Sequence, residues 1–233
     1  MLPFEMGGFL VRSGDHLALV DTGIGPHADP VHTGMFMDNL AALGVAPSEI
    51  TDVVLTHLHR DHLGWATDGE RRLIENATYR CHEADREFVM GSTPYDDSLL
   101  ISFMGGQPSV DLLPPVEERL EMWSGDGTIL PGLDVRSAPG PTPGSTVIVV
   151  SSGTERAMLL GDVVHRPAEL LSDNWEAIAD VDPQLALRSR EALARELEGS
   201  DIPASAALSR APVRPAAGRR RSPAVDVRLT FHR

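Results

Sequence analysis

The apolar positions of this chain fall into short runs, and most of them have the length and alternation of β-strands. Gly8 to Arg12 and His16 to Val20 predict two strands that form a hairpin, because Ser13-Gly14-Asp15 between them is a turn signal. A third run, Asp52 to Leu55, is continuously apolar after its first residue, which indicates a buried strand.

The remaining elements follow from the same patterns. Helical periodicity with turn residues at the ends predicts helices from Thr33 to Gly44, from Glu83 to Met90 and from Pro183 to Glu198. Further strands are predicted at Thr78 to Cys81, Leu133 to Ser137, Thr146 to Ser151 and Ala157 to Leu160.

The segment from Gly91 to Trp123 mixes Gly, Pro, Met and acidic residues without clean periodicity. Such an insertion is typical of a lid over an active-site cleft, in which Phe103, Met104 and Trp123 would supply apolar contact. A helical hairpin packed on the core edge is the equally supported alternative.

The stretch from Thr56 to His62 places three imidazoles and a carboxylate within six residues, directly after the buried strand. Neutral imidazole nitrogen and carboxylate oxygen are ligands that Zn²⁺ prefers in proteins. The first two histidines share an extended segment and the other groups follow a turn, so the spacing fits two neighbouring ions. The candidate ligands are His57, His59, Asp61 and His62. A polar surface loop is the alternative interpretation.

This His-x-His-x-Asp-His pattern, followed by Leu63-Gly64-Trp65, resembles the metallo-β-lactamase superfamily, and the resemblance extends from about Phe9 to Ala206. It implies an αβ/βα four-layer sandwich with the active site between two sheet layers. Asp162, which follows Gly161 after an apolar strand, then corresponds to the aspartate that bridges two ions. The resemblance also implies that Asp21 and His165 support the site from behind the ligands.

Two departures from the family pattern reduce the expected ligand set. Pro139 to Ser145 resembles the third motif, whose histidine completes the first metal site, but Pro141 occupies the place of that histidine. Proline offers no lone pair to a metal, so His165 becomes the best candidate for a substitute ligand. The last histidine of the family, expected soon after Asp201, is also missing. The reduced set favours one zinc ion here, whereas the family holds two.

The function implied by the resemblance is a zinc-dependent hydrolase, in which a metal-bound hydroxide attacks an ester, lactone or related bond of a small molecule. Asp61 would orient the nucleophile or carry a proton to the leaving group. Gly161 to His165 resembles lactonase-like relatives, so an acyl-homoserine lactone is the first substrate expected, with β-lactams and organophosphates as alternatives. The competing hypothesis is a catalytically inactive protein that keeps the fold or binds a small molecule.

Composition narrows the class further. A chain of 233 residues fits one α/β domain, and no apolar run or leader-like segment predicts a membrane span or secretion, so we expect a cytoplasmic protein. The net charge of −14 argues against nucleic acid as a partner. Cys81, the single cysteine, is expected to be a small core residue within a strand.

The last 25 residues have a different composition. We predict a metallo-β-lactamase-like domain over residues 1–208 and an irregular, poorly packed basic tail over 209–233. We hypothesise a frameshift, because permitted codons for Ala207 to Pro215, read one base later, can encode the His-Phe-Pro-Gly of lactonase-like relatives. A functional basic tail at Arg219 to Arg221, binding nucleic acid or an acidic partner, is the alternative.

Overall fold

A computed structural model describes residues 6–26, 35–93, 95–171 and 175–205 in full, and residues 225–230 as backbone. The strands are β1 (Gly8–Ser13), β2 (His16–Val20), β3 (Asp52–Val54), β4 (Thr78–His82), β5 (Leu120–Trp123), β6 (Gly127–Leu130), β7 (Leu133–Ser137), β8 (Thr146–Ser152), β9 (Glu155–Leu159), β10 (Ala204–Ser205) and β11 (Val225–Thr230). The α-helices are α1 (Phe36–Ala42), α2 (Arg60–Leu63), α3 (Glu83–Met90), α4 (Ser98–Met104), α5 (Ser109–Leu112) and α6 (Pro183–Leu197).

The strands form two sheets. The first has the order β11-β1-β2-β3-β4-β5, and the second has the order β10-β9-β8-β7-β6. Strands β2 to β5 pair in parallel, so their carboxyl ends meet at one edge of the first sheet. In the second sheet β9 and β10 are also parallel, which brings the residues after them to a common edge.

Alternation along the strands explains why the sheets stack. In β1, Phe9 and Val11 face the second sheet, while Leu10 faces the helices that cover the outer side. The run at β3 is continuously apolar for the same reason, since Val53 faces the helices and Val54 faces the other sheet. Helix α6 covers the outer side of the second sheet. The result is the four-layer αβ/βα sandwich that the sequence predicts.

The described residues of the insertion from Gly91 to Trp123 form two short α-helices, a 3₁₀ helix (Pro114–Arg119) and an edge strand. The second half of the insertion packs on the core, where Leu112 and Val116 are buried, as the helical-hairpin alternative predicts. Helix α4 instead packs against Ile24, in the loop that follows β2. Trp123 lies on β5 and packs on the inter-sheet core, so it differs from the expectation that it lines the cleft.

The described part of the tail also differs from expectation. Strand β11 pairs antiparallel with the whole of β1, with Gly8 opposite Thr230 and Ser13 opposite Val225. From the composition, we expected the residues beyond Leu208 to pack poorly. The frameshift region, the three arginines 219–221 and His232 lie outside the described residues, so the domain boundary stays a prediction.

None of the helices in the described part of the chain combines the length and the apolar character that a membrane span requires.

Candidate metal centre

Strand β3 ends where the candidate ligands begin. The chain bends at Thr56, His57 and His59, and α2 then brings Asp61 and His62 next to them. All four side chains are buried, although they follow the strand and could have been a surface loop. His57 and His59 therefore precede α2, and Asp61 and His62 lie within it, while bends interrupt the extended conformation expected for the first pair.

Asp21 lies directly behind this segment. Its Oδ1 accepts a hydrogen bond from the Thr56 amide at 2.8 Å, and its Oδ2 lies 2.9 Å from Nδ1 of His62. Oδ2 also accepts from Thr56 Oγ1 at 2.8 Å. Asp21 adopts a φ of 58°, a left-handed conformation that a non-glycine residue holds only where its surroundings enforce it. Its carboxylate thus contacts a candidate ligand, as the sequence analysis expected.

Five buried side chains form two overlapping clusters that could each hold a cation. One cluster consists of His57, His59 and Asp162, and the other of Asp61, His62 and Asp162. Within each cluster the potential ligand atoms lie within 4.8 Å of one another. Asp162 comes from the 3₁₀ turn after β9, on the second sheet, so the centre lies where the carboxyl ends of both sheets meet.

The charged groups of the two clusters shift one another's pKa values. Burial and the neighbouring His62 lower the pKa of His57 well below its usual value, and burial lowers the pKa of His59, so both imidazoles are neutral at pH 7. Burial alone would lower the pKa of His62, but the carboxylates of Asp162 and Asp21 outweigh it and raise that pKa well above normal. Burial would raise the pKa of Asp162, but His62 and His165 hold it well below its usual value.

The donor set fits a divalent cation. His59 Nε2, His62 Nε2 and Asp162 Oδ1 are buried and have no hydrogen-bond partner within the described residues. The last two atoms lie 3.1 Å apart without the geometry of a hydrogen bond. Buried polar atoms without partners are costly, and metal ions bound in the two clusters would satisfy all three.

Pro141 is buried in the loop between β7 and β8, and the backbone around it is well held. Its carbonyl accepts from the Val181 amide at 3.1 Å, and the Gly140 carbonyl accepts from the Asp182 amide at 2.9 Å. The loop that was expected to carry the third ligand is therefore formed, although the side chain of Pro141 has no atom that can bind a metal. In the described structure Asp162 supplies the third group next to His57 and His59.

His165 lies beside Asp162 but belongs to neither cluster of the described residues. Its Nε2 is 3.4 Å from Asp162 Oδ2, and Glu169 accepts from its backbone amide at 2.9 Å. Burial would lower the pKa of His165, but Asp162 and Glu169 outweigh it and raise the pKa to about 10. This geometry fits support of Asp162 better than replacement of the missing third ligand.

A family model, described as the Metallo-beta-lactamase superfamily, matches residues 8–199. The chain belongs to the metallo-beta-lactamase superfamily.

The match with named relatives spans only part of each relative's length. The superfamily member "Metallo-beta-lactamase domain-containing protein 1" of Homo sapiens is 33% identical over 178 residues, which are 74% of this chain and 52% of that protein. Its counterpart in Xenopus laevis is 27% identical over 191 residues, 80% of this chain and 65% of that protein. The chain thus spans about half the length of the human relative.

Solved structures of other proteins share the fold of this chain. AidC, a dizinc quorum-quenching lactonase, superposes with a TM-score of 0.70 at 23% identity, covering 95% of this chain and 78% of that one. A probable metal-dependent hydrolase from Staphylococcus aureus gives 0.69 at 18% identity, covering 84% and 72%. A quorum-quenching N-acyl homoserine lactone lactonase gives 0.62 at 16% identity, covering 89% and 94%.

Sequence reasoning missed two residues next to the metal centre of this superfamily member. The ring of Tyr95 lies 5.7 Å from that of His59 and 4.6 Å from that of Phe88, measured between centroids. Asp85 hydrogen bonds to the backbone between His57 and His59. Neither has a spacing signal, because both come from elements far along the chain. His27 and His32 lie outside the described residues.

Proposed function

We propose that the chain is a zinc-dependent hydrolase that cleaves an ester, lactone or related bond in a small molecule. The observation that carries the proposal is the pair of buried clusters sharing Asp162, in which three ligand-type atoms have no hydrogen-bond partner in the described part of the chain. Membership of the superfamily supports the same class of reaction. Substrate and metal identity belong to the proposal.

The residues divide into holding and orienting roles. His57, His59 and Asp162 would hold one cation, and Asp61, His62 and Asp162 would hold a second. A bound divalent cation supplies Lewis acidity, which makes water more acidic and polarises the substrate oxygen. Asp61 is 7% exposed and Asp162 is 6% exposed, which are the largest exposures among the five candidate ligands. The Asp61 carboxylate would orient water or carry a proton to the leaving group.

A lactone is the first substrate class to test. Two of the solved structures that share the fold are quorum-quenching lactonases, one of them described as a dizinc enzyme. Their identities of 23% and 16% support the fold alone, so an acyl-homoserine lactone is our proposal for this chain, with β-lactams and organophosphates as the other substrates to assay.

Pro141 supports the second candidate, a protein that keeps the fold without turnover. Among the described residues the first cluster has only two histidines and depends on Asp162, which the second cluster also uses. We therefore expect one zinc ion to bind more tightly than a second. An inactive protein would retain the clusters but bind too little metal to react.

Metal analysis of purified protein tests the proposal first, followed by hydrolysis assays on lactones, β-lactams and phosphotriesters. One ion per chain with measurable turnover supports the impaired hydrolase, and two tightly bound ions per chain would contradict the expectation that the second ion binds weakly. No bound metal and no turnover would support the inactive alternative. His59→Ala should remove metal and activity, while His16→Ala is the matched control because His16 is partly exposed and pairs with Asp52 outside the clusters.

A further inference from the structure

Asp85 is a buried carboxylate outside both metal clusters. It lies in the first turn of α3, and none of its surface is exposed. Burial raises its pKa to about 6, even though its hydrogen bonds favour the charged form. Burial of a carboxylate is unfavourable, so the contacts of Asp85 should explain why it is there.

Three hydrogen bonds converge on this carboxylate from two separate loops. Oδ2 accepts from the Leu58 amide and from Thr142 Oγ1, each at 2.9 Å. Oδ1 accepts from the Gly144 amide at 2.6 Å. Leu58 stands between the candidate ligands His57 and His59, and Thr142 follows Pro141.

The fit between these groups is close. A Cβ at position 144 would lie 2.7 Å from Asp85 Oδ1, so only glycine allows the approach. Ser145 Oγ accepts from the Thr142 amide at 2.9 Å, which holds the loop in the orientation that Asp85 contacts. A neutral side chain with one acceptor oxygen could not serve all three donors.

We propose that Asp85 is a positioning residue for the cluster of His57, His59 and Asp162: it ties the segment of the two histidines to the loop of Pro141 and so fixes their distance from the second sheet. This inference rests on the proposed metal-dependent function. It adds a group that touches no ligand side chain and acts through the backbone of Leu58.

Asp85→Asn tests the proposal, with Asp52→Asn as the matched control. Asp52 is 2% exposed and contacts three side chains, but it begins β3 at the end opposite the metal centre. Zinc affinity, measured by competition with a chelating dye, should fall about 10–100-fold in Asp85→Asn, as for other supporting groups, and less than about twofold in Asp52→Asn. Both variants should lose stability, so loss of stability alone would not distinguish them.

Amide hydrogen exchange supplies a readout that needs no metal. In the metal-free protein, the Leu58 and Gly144 amides should exchange faster in Asp85→Asn than in wild type. In Asp52→Asn their exchange rates should be unchanged. Wild-type zinc affinity in folded Asp85→Asn, or an equal loss in the control, would overturn the inference. A wild-type protein that binds no zinc would overturn the proposed function and this role with it.

A milder pair of variants covers the case in which Asp85→Asn does not fold. Thr142→Val removes one of the three donors, and Thr51→Val removes the hydroxyl that donates to Asp52. Weaker zinc binding in Thr142→Val alone would support the role, and equal affinity in both variants would contradict it.

Discussion

Asp21 and His62 are joined by a contact of 2.9 Å between Oδ2 and Nδ1, which directs the other ring nitrogen of His62 towards Asp162. The same carboxylate accepts two hydrogen bonds from Thr56, which directly precedes His57. One side chain therefore fixes both the position of the chain and the ring orientation of a candidate ligand.

Replacing Asp21 with alanine should weaken metal binding about 10–100-fold, because His62 would lose the acceptor that sets its ring orientation. Zinc titration of the metal-free protein measures the change. Asp15→Asn is the control, since Asp15 is exposed in the turn of the same hairpin. An Asp21→Ala protein that folds and binds zinc like wild type would show that the contact does not matter for the metal.

Restoring histidine at position 141 should raise the zinc content by up to one ion per chain. The loop is already held by backbone hydrogen bonds from Val181 and Asp182, so the new imidazole would start from a formed scaffold. Metal analysis after dialysis measures the gain. Pro143→His is the control because it adds the same side chain at an exposed position two residues on.

An unchanged zinc content in Pro141→His would mean that the first site is absent for other reasons than the missing donor. If the gain occurs, combining Pro141→His with Asp85→Asn should abolish most of it, because the two positions are coupled through Thr142.

The pH dependence of stability should report the buried carboxylate of Asp85. Its pKa is about 6 in the folded protein and about 3.9 in an unfolded chain, so folding favours the protonated form. Its stabilising contribution is full below pH 4 and is lost as pH rises through 6, by about 3 kcal/mol in total. Metal-free wild type should therefore lose stability relative to Asp85→Asn between pH 4 and pH 7.

Urea unfolding of both metal-free proteins at several pH values in this window measures that difference. A difference that stays constant with pH would mean that Asp85 titrates alike in the folded and unfolded chain.

The thiol of Cys81 should be unreactive in the native protein. It is completely buried in β4, and burial, with a smaller effect of Asp85, raises its pKa far above the usual value. A thiol reagent at pH 8 should label the folded protein slowly, because the thiol is accessible only when the structure opens. It should label the urea-unfolded protein much faster. Rapid labelling of the folded protein would contradict the packing of β4.

The sequence predicted those parts of the site that depend on local pattern. Strand β3 and the residues from His57 to His62 were recognisable because a buried strand ends directly in ligand-type side chains. Asp85 was not, because an acid in the first turn of a helix is common and its partners are 27 to 59 residues away. Its role depends on tertiary contact alone.

Three strands were missed: β5, which ends the segment without clean periodicity, β6 and β11. Strand β6 begins with glycine and is mostly exposed, so its apolar pattern is weak. Strand β11 carries alternating apolar and polar residues from Val225 to Thr230, a signal that the arginine-rich composition around it obscured. Its pairing with β1 spans almost the whole chain, which no local pattern encodes.

Asp162 has a consequence for how the metal stoichiometry can be determined. Because its carboxylate belongs to both clusters, a protein with one ion and a protein with two would each fail when it is replaced. Inactivation of an Asp162 variant is therefore uninformative about nuclearity. Only paired variants that separate the clusters, one at His59 and one at Asp61, can count the ions that the reaction needs.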